Sequence, residues 1–306
     1  MKVLIVNKQN QRIAVSGATG LVGSDLIKSL KLAGHSTLTL SRRNEGVGSI
    51  LWDPAKGVTS SEALEGIDAV VHLAGENIAG SRWTAAVKER IRSSRVDGTR
   101  NLVKSLALLK SPPKTLVCAS AIGLYGHRGE ERLNEASPVG SGYLADVCKA
   151  WEAEALEAEK LGIRVVRLRI GVVLSKKGGA LAKMLLPFKL GVGGIIGSGK
   201  QYWSWIGLND LVRIISFCVE NDAVSGAVNA VSPHPMTNYD FTKAVGTVLH
   251  RPTIFPMPAF AAKLALGEMA DDLLLSSIRV EPDKLRSLGF QFAQPDLISC
   301  LKHELA

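Results

Sequence analysis

The chain has 306 residues, 46% hydrophobic and 21% charged, a composition that excludes a disordered or low-complexity protein. Its net charge is +9, but the cations are scattered, with Arg42-Arg43 and Lys176-Lys177 the tightest groups, so no nucleic-acid partner is expected and the field favours a small anionic ligand. Cys118, Cys148, Cys218 and Cys300 have no metal or redox spacing, and no stretch approaches the roughly 20 apolar residues of a membrane helix.

No metal and no membrane are therefore expected. The location expected is cytoplasmic, with an organelle left open if a transit peptide has been removed. Within Met1–Asn10 the run Val3–Val6 is too short for a signal-peptide core. Arg12–Ser16 reads as a first strand. Gly20–Leu32 reads as a helix, with Leu21, Val22, Leu26, Ile27 and Leu30 at helical spacing and Gly34 as its stop. Ser36–Leu40 and Ala69–Leu73 read as strands. Lys88–Leu109 reads as a long helix, broken by Ser111-Pro112-Pro113. Thr115–Ala119 is an apolar strand, Val147–Lys160 a helix, and Ile163–Leu174 one more strand run.

Strands and helices in alternation, with strands apolar on both faces, predict an α/β fold: a Rossmann-type doubly wound parallel sheet. Past Lys176 the pattern weakens, with glycines from Gly178 to Gly199 and prolines from Met257 onward. The expected division is a dinucleotide-binding domain over 1–176, with a return segment near 200–230, and a smaller α/β C-terminal region over 177–306 on the substrate side.

Gly17, Gly20 and Gly23 follow the first strand and open the first helix. The first glycine permits a tight turn, the second lets the backbone approach a pyrophosphate, and the third lets helix and strand pack closely. Helix amides and the helix dipole would hold the phosphates. At the end of the second strand the chain reads Ser41-Arg42-Arg43, with no carboxylate until Glu45. A guanidinium clamps a phosphate, so NADP(H) is expected over NAD(H). Leu73, Ala74 and Gly75 leave room for adenine or ribose. His72, inside an apolar run, reads as a packed sheet histidine.

These residues resemble the extended short-chain dehydrogenase/reductases, and more narrowly their atypical epimerase-family branch. The resemblance runs through His72–Asn77, Arg82-Trp83, Ser94-Arg95 with Gly98-Thr99, Ser120–Gly126, Trp151-Glu152, Arg169–Leu174, Gly197-Ser198-Gly199 and Ser204-Trp205-Ile206. Pro258–Glu268, Pro282 and Leu288-Gly289-Phe290 are similar to that branch's C-terminal domain of unknown function. The resemblance implies cofactor contacts from Gly17, Thr19, Gly20, Leu21 and Val22 at the phosphates. It implies Ser41 and Arg42 at the 2′-phosphate, Leu73, Ala74 and Gly75 on the adenosine side, and Arg95 reaching in from the long helix.

Active extended members use a serine, and a tyrosine followed four residues later by lysine. Here Ser120 matches the serine, but Tyr143 and Lys149 are six apart, which on a helix points them about 120° apart. The catalytic candidates are thus Ser120, Tyr143 and Lys149, with Tyr125 as a substitute proton donor. Gly207 stands where relatives carry a histidine near the expected substrate cleft. Two functions follow: an NADP(H)-dependent oxidoreductase or epimerase-like enzyme on a small carbonyl or hydroxyl substrate, or an NADP(H)-binding protein without turnover.

Overall fold

Short aliphatic runs build one sheet in this computed structural model, which describes residues 10–43 and 46–305. The Val3–Val6 run and Glu45 lie outside the described residues. The strands are β1 (Arg12–Ser16), β2 (Ser36–Ser41), β3 (Ser49–Asp53), β4 (Gly57–Val58), β5 (Ala69–His72), β6 (Thr115–Ala121), β7 (Arg164–Ile170) and β8 (Gly226–Ala230). Their order is β8-β7-β6-β5-β1-β2-β3-β4. All neighbours are parallel except the β3–β4 hairpin. The Rossmann-type doubly wound α/β sheet expected from the sequence is therefore the fold observed.

Side-chain alternation gives each strand two apolar faces. Ile13, Val15 and Val71 pack on one side with Leu26 and Leu30 of α1 (Leu21–Leu32) and with Leu211 and Ile215 of α5 (Leu208–Glu220). Ala14, Val70 and Leu116 pack on the other with Leu102 and Leu106 of α2 (Ala85–Leu106) and with Trp151 and Ala155 of α3 (Tyr143–Leu156). Each fully buried leucine or isoleucine contributes about 1.5–3 kcal/mol of transfer free energy.

Three local features depart from the periodicity. The run expected as one strand over Ile163–Leu174 breaks at Gly171 into β7 and a short piece, Val172–Leu174. A Cβ at Gly171 would stand 2.7 Å from the Ser204 carbonyl oxygen, so only glycine lets the two segments cross there. Helix α3 begins at Tyr143 instead of Val147, entered through Gly142 at φ 108°, a left-handed backbone that favours glycine. The β3–β4 hairpin had no periodic signal at all.

Residues beyond Lys176 first return to the sheet, with α5 against α1 and β8 beside β7. They also form a cap from α4 (Gly179–Lys189), α6 (Asn238–Leu249), α7 (Ala259–Leu266) and α8 (Leu297–Leu305). A core of its own, including Leu185, Trp205, Phe241 and Leu301, holds this cap together. Arg279–Val280 pairs in parallel with Arg132–Leu133, tying the cap to the carboxyl edge of the sheet. No helix among the described residues is long and apolar enough to cross a membrane.

Candidate functional site

The glycine turn lies at the carboxyl end of β1. Gly17 sits at φ 68° against the end of β5, where a Cβ would stand 2.9 Å from the Leu73 carbonyl carbon. Gly23 is closed against the turn: a Cβ there would lie 2.2 Å from the Gly17 oxygen. Gly20 is the N-cap of α1 and offers no side-chain cap. The first amides of α1 therefore need an outside acceptor, and Thr19 and Gly20 are exposed before them. Leu21 and Val22 are partly buried on the core, so they contribute backbone amides to the opening. Donor set and absent side chains together fit a pyrophosphate.

A buried chain of hydrogen bonds supports this turn from β5. The Ser16 hydroxyl oxygen accepts from the Leu73 and Ala74 amides, at 3.1 and 3.2 Å. Its own proton therefore goes to His72 Nδ1, 2.6 Å away. That leaves His72 Nε2 to donate to Thr99 Oγ1 at 3.1 Å. His72 is fully buried, and burial lowers its pKa to about 4. It is a neutral structural histidine, as its apolar setting predicted.

At the end of β2, Arg42 is exposed, and the Ser41 hydroxyl accepts from the Arg43 amide at 3.2 Å. Because β3 runs parallel to β2, the β3–β4 turn opens on the same edge. Arg42, Trp52, Asp53 and Lys56 line a depression of about 610 Å³ there. Lys56 is a second cation that the sequence reading missed, since the hairpin carrying it gave no signal. Arg95 of α2 lies across Gly75, with its guanidinium carbon 3.2 Å from where a Cβ would be. It donates to the Glu76 carbonyl at 3.0 Å and stacks over Trp151 at 5.2 Å. Burial pushes its pKa down, against the pull of nearby Cys148 and Tyr143.

The three catalytic candidates have different surroundings. Leu116 and Cys118 face the α2–α3 side, and Ser120, two residues further, follows them there by strand parity. Its hydroxyl donates to Glu152 of α3. Tyr143, half-buried at the start of α3, donates its hydroxyl to the Lys88 carbonyl at 2.6 Å and meets Trp83 edge-on at 5.2 Å. Burial raises its pKa, with Arg95 opposing. Lys149 is exposed, about 120° round α3 from Tyr143. Tyr125 is fully buried; its hydroxyl lies 2.7 Å from Asn229 Oδ1 and accepts from Arg169 at 2.8 Å, so it holds the fold together and does not face a cleft.

The expected cleft position of Gly207 is also corrected. Gly207 is buried against α8, and a Cβ there would lie 2.8 Å from Cys300 Sγ. A larger residue would have to displace that helix.

Between the sheet edge and the cap lies a cavity of about 300 Å³. His127, Ser141 and Leu144 line one wall, with Asp271, Asp272 and Ser276 opposite. The His127 Nδ1 accepts from the Ser277 amide at 3.0 Å, so in the neutral ring the proton sits on Nε2. Burial raises the Asp272 carboxyl above the usual range, with Lys88 opposing. No periodic or glycine signal marks these residues; only folding of the cap brings them to the edge.

The chain matches the NAD dependent epimerase/dehydratase family over residues 13–231 and a domain of unknown function, DUF1731, over 257–304. It is 42% identical over 284 residues to the epimerase family protein Mb2239 of Mycobacterium bovis, spanning 92% of this chain and 94% of that one. It is 37% identical to the epimerase family protein YfhF of Bacillus subtilis, spanning 96% and 98%. The crystal structure of the human epimerase family protein SDR39U1 (isoform 2) with NADPH superposes with a TM-score of 0.87 at 34% identity, covering 96% of this chain and 98% of that one. The glycine turn, the sheet order and these likenesses agree: the chain belongs to the NAD dependent epimerase/dehydratase family.

Proposed function

We propose that this protein binds NADP(H) along the carboxyl edge of its sheet and acts as an oxidoreductase or epimerase-like enzyme on a small carbonyl or hydroxyl compound held under the cap. The observation that carries this reading is the uncapped start of α1 beside the Gly17–Gly23 turn, with Arg42 at the neighbouring strand end. Gly17, Thr19, Gly20, Leu21, Val22 and Gly23 would hold the pyrophosphate. Ser41 and Arg42 would hold the 2′-phosphate, with Leu73, Ala74, Gly75 and Arg95 beside the dinucleotide. The human relative crystallised with NADPH supports the same choice. The bound nicotinamide would supply or accept the hydride. Among the three catalytic candidates, Tyr143 stands between Gly142 and Leu144, which line the cavity, and its own hydroxyl turns to the Lys88 carbonyl. A phenol with a raised pKa keeps its proton at neutral pH and suits an acid.

A second reading, NADP(H) binding without turnover, is favoured by the Ser120 hydroxyl resting on Glu152 and by the outward direction of Lys149. The four cysteines are buried and free, which suits a reducing compartment such as the cytoplasm. The cofactor test is thermal unfolding with each dinucleotide. NADPH should raise the melting temperature more than NADH at equal concentration, and Arg42→Ala should erase the difference. Equal shifts in the unmutated protein would sink the reading. A carbonyl panel followed by NADPH absorbance then separates the enzyme from the silent binder.

A further inference from the structure

The cap carries a face that combines exposed apolar side chains with positive charge. Residues 178–209 contain three lysines, and residues 241–267 contain two lysines and an arginine; neither stretch contains an aspartate or glutamate. The two stretches lie side by side. Arg251 Nε donates to the Lys189 carbonyl at 3.0 Å, the Met257 amide to the Ile195 carbonyl at 2.8 Å, and the Gly197 amide to the Met257 carbonyl at 2.9 Å. Among the described residues 15 large hydrophobic side chains are exposed, and 8 of them fall in these two stretches. Leu190, Ile254, Phe260 and Leu264 are 68%, 69%, 73% and 77% exposed. Phe260 and Leu264, four apart on α7, share a face of that helix, and Ala262 is its one buried residue.

A soluble monomer rarely leaves so much apolar surface in one region without a partner. We propose that this face docks on an anionic lipid surface, with Phe260, Leu264, Ile254 and Leu190 entering the interface and Lys189 and Arg251 meeting the headgroups. Apolar insertion combined with cations is the chemistry of interfacial attachment. Such attachment needs no membrane-spanning helix, so the length argument against a membrane does not bear on it. The charges fit this occupant better than a second copy. A twofold contact lays the patch on itself and would place cations against cations. The acids nearby are already engaged: Asp271 with Lys263 at 2.8 Å, Glu268 with Lys88, and Asp240 with the Thr237 hydroxyl. Among the described residues the Arg251 guanidinium donates to the backbone carbonyls of Lys189 and His250.

The test is flotation of the full chain with vesicles of phosphatidylcholine alone and of phosphatidylcholine mixed with phosphatidylglycerol. Binding is expected on the mixed vesicles only, and should weaken as salt rises. Phe260→Ser with Leu264→Ser should lower the bound fraction about tenfold, and Lys189→Glu with Arg251→Glu should do the same. These side chains are exposed, so circular dichroism should be unchanged in both variants; if the apolar variant fails to fold, the charge variant decides. No flotation, or equal flotation with neutral vesicles, overturns the proposal. Sedimentation showing self-association that Phe260→Ser with Leu264→Ser abolishes, without vesicle binding, assigns the face to a second copy and overturns it too.

Discussion

The Ser120 hydroxyl donates to Glu152 Oε1 at 2.8 Å, and the same carboxylate takes Arg169 Nε at 2.9 Å and Nη2 at 3.0 Å. Arg167 adds a further donor at 2.9 Å. Ser120 is thus the minor donor to a buried carboxylate already paired by two arginines. Ser120→Ala should cost about 1 kcal/mol, the net worth of one hydrogen bond. Glu152→Ala should cost about 3–5 kcal/mol, because it strands the buried Arg169 charge. Urea unfolding of both variants measures the contrast. If Ser120→Ala instead keeps full stability and loses all turnover, the serine acts in a cleft after all.

The two later glycines of the turn should fail in different ways. Gly20 is exposed, and a Cβ there meets only the Gly17 oxygen at 3.2 Å. Gly20→Val should therefore remove NADPH binding while the protein still unfolds cooperatively near the wild-type temperature. Gly23→Val should lower stability itself, since its Cβ would stand 2.2 Å from the Gly17 oxygen. Calorimetric titration with NADPH, read beside thermal unfolding, distinguishes the two. A Gly20→Val protein with undiminished affinity would mean the dinucleotide docks elsewhere.

What was legible in the sequence follows from how local each signal is. The Gly17 turn, its strand and its helix lie within 21 residues, and the backbone freedom of glycine is a property of single positions. His72 was readable because burial of a strand residue follows from its apolar neighbours. The direction of Ser120 was not. The residue type fits a cleft, but strand parity sends it toward α3, and parity needs the registered sheet. Tyr143 and Lys149 gave only a spacing; that Gly142 would start the helix at Tyr143 depended on a backbone conformation no periodicity reveals. The β3–β4 hairpin is too short for a pattern, which hid Lys56. His127 and Asp272 lie 145 positions apart and meet only across the cap.

The buried His72 makes stability depend on pH. Its folded pKa is about 4 against an ordinary value of 6.5, so the fold holds the neutral ring while the unfolded chain takes up a proton. The stabilising contribution is fully present above about pH 6.5 and is lost as pH falls from there toward 4. The loss amounts to about 3 kcal/mol at pH 4, since a tenfold change in proton affinity is worth roughly 1.4 kcal/mol. Urea unfolding across this range should show a slope that His72→Asn flattens. An unchanged slope in that variant would assign the acid sensitivity to the carboxylates.

Tyr143 gives the most direct test of chemistry. Its hydroxyl donates to the Lys88 carbonyl at 2.6 Å, and the Lys88 ammonium lies 5.0 Å from its ring centre. Burial raises the phenol pKa, and Lys149 is turned to solvent on another side of the helix. Burial outweighs the opposing pull of Arg95, so the phenol is no base at neutral pH, but it remains a proton donor. Carbonyl reduction by NADPH should then outpace the reverse oxidation, and its rate should stay level until pH passes about 10, where an ordinary phenol begins to ionise. Tyr143→Phe should lower turnover about a hundredfold or more, the scale of one general acid, with NADPH affinity unchanged because only a hydroxyl is lost. Lys149→Ala should leave both unchanged. Full turnover in Tyr143→Phe would move the proton transfer to the cavity's His127 or Asp272, and loss of that turnover in His127→Gln would point to the histidine.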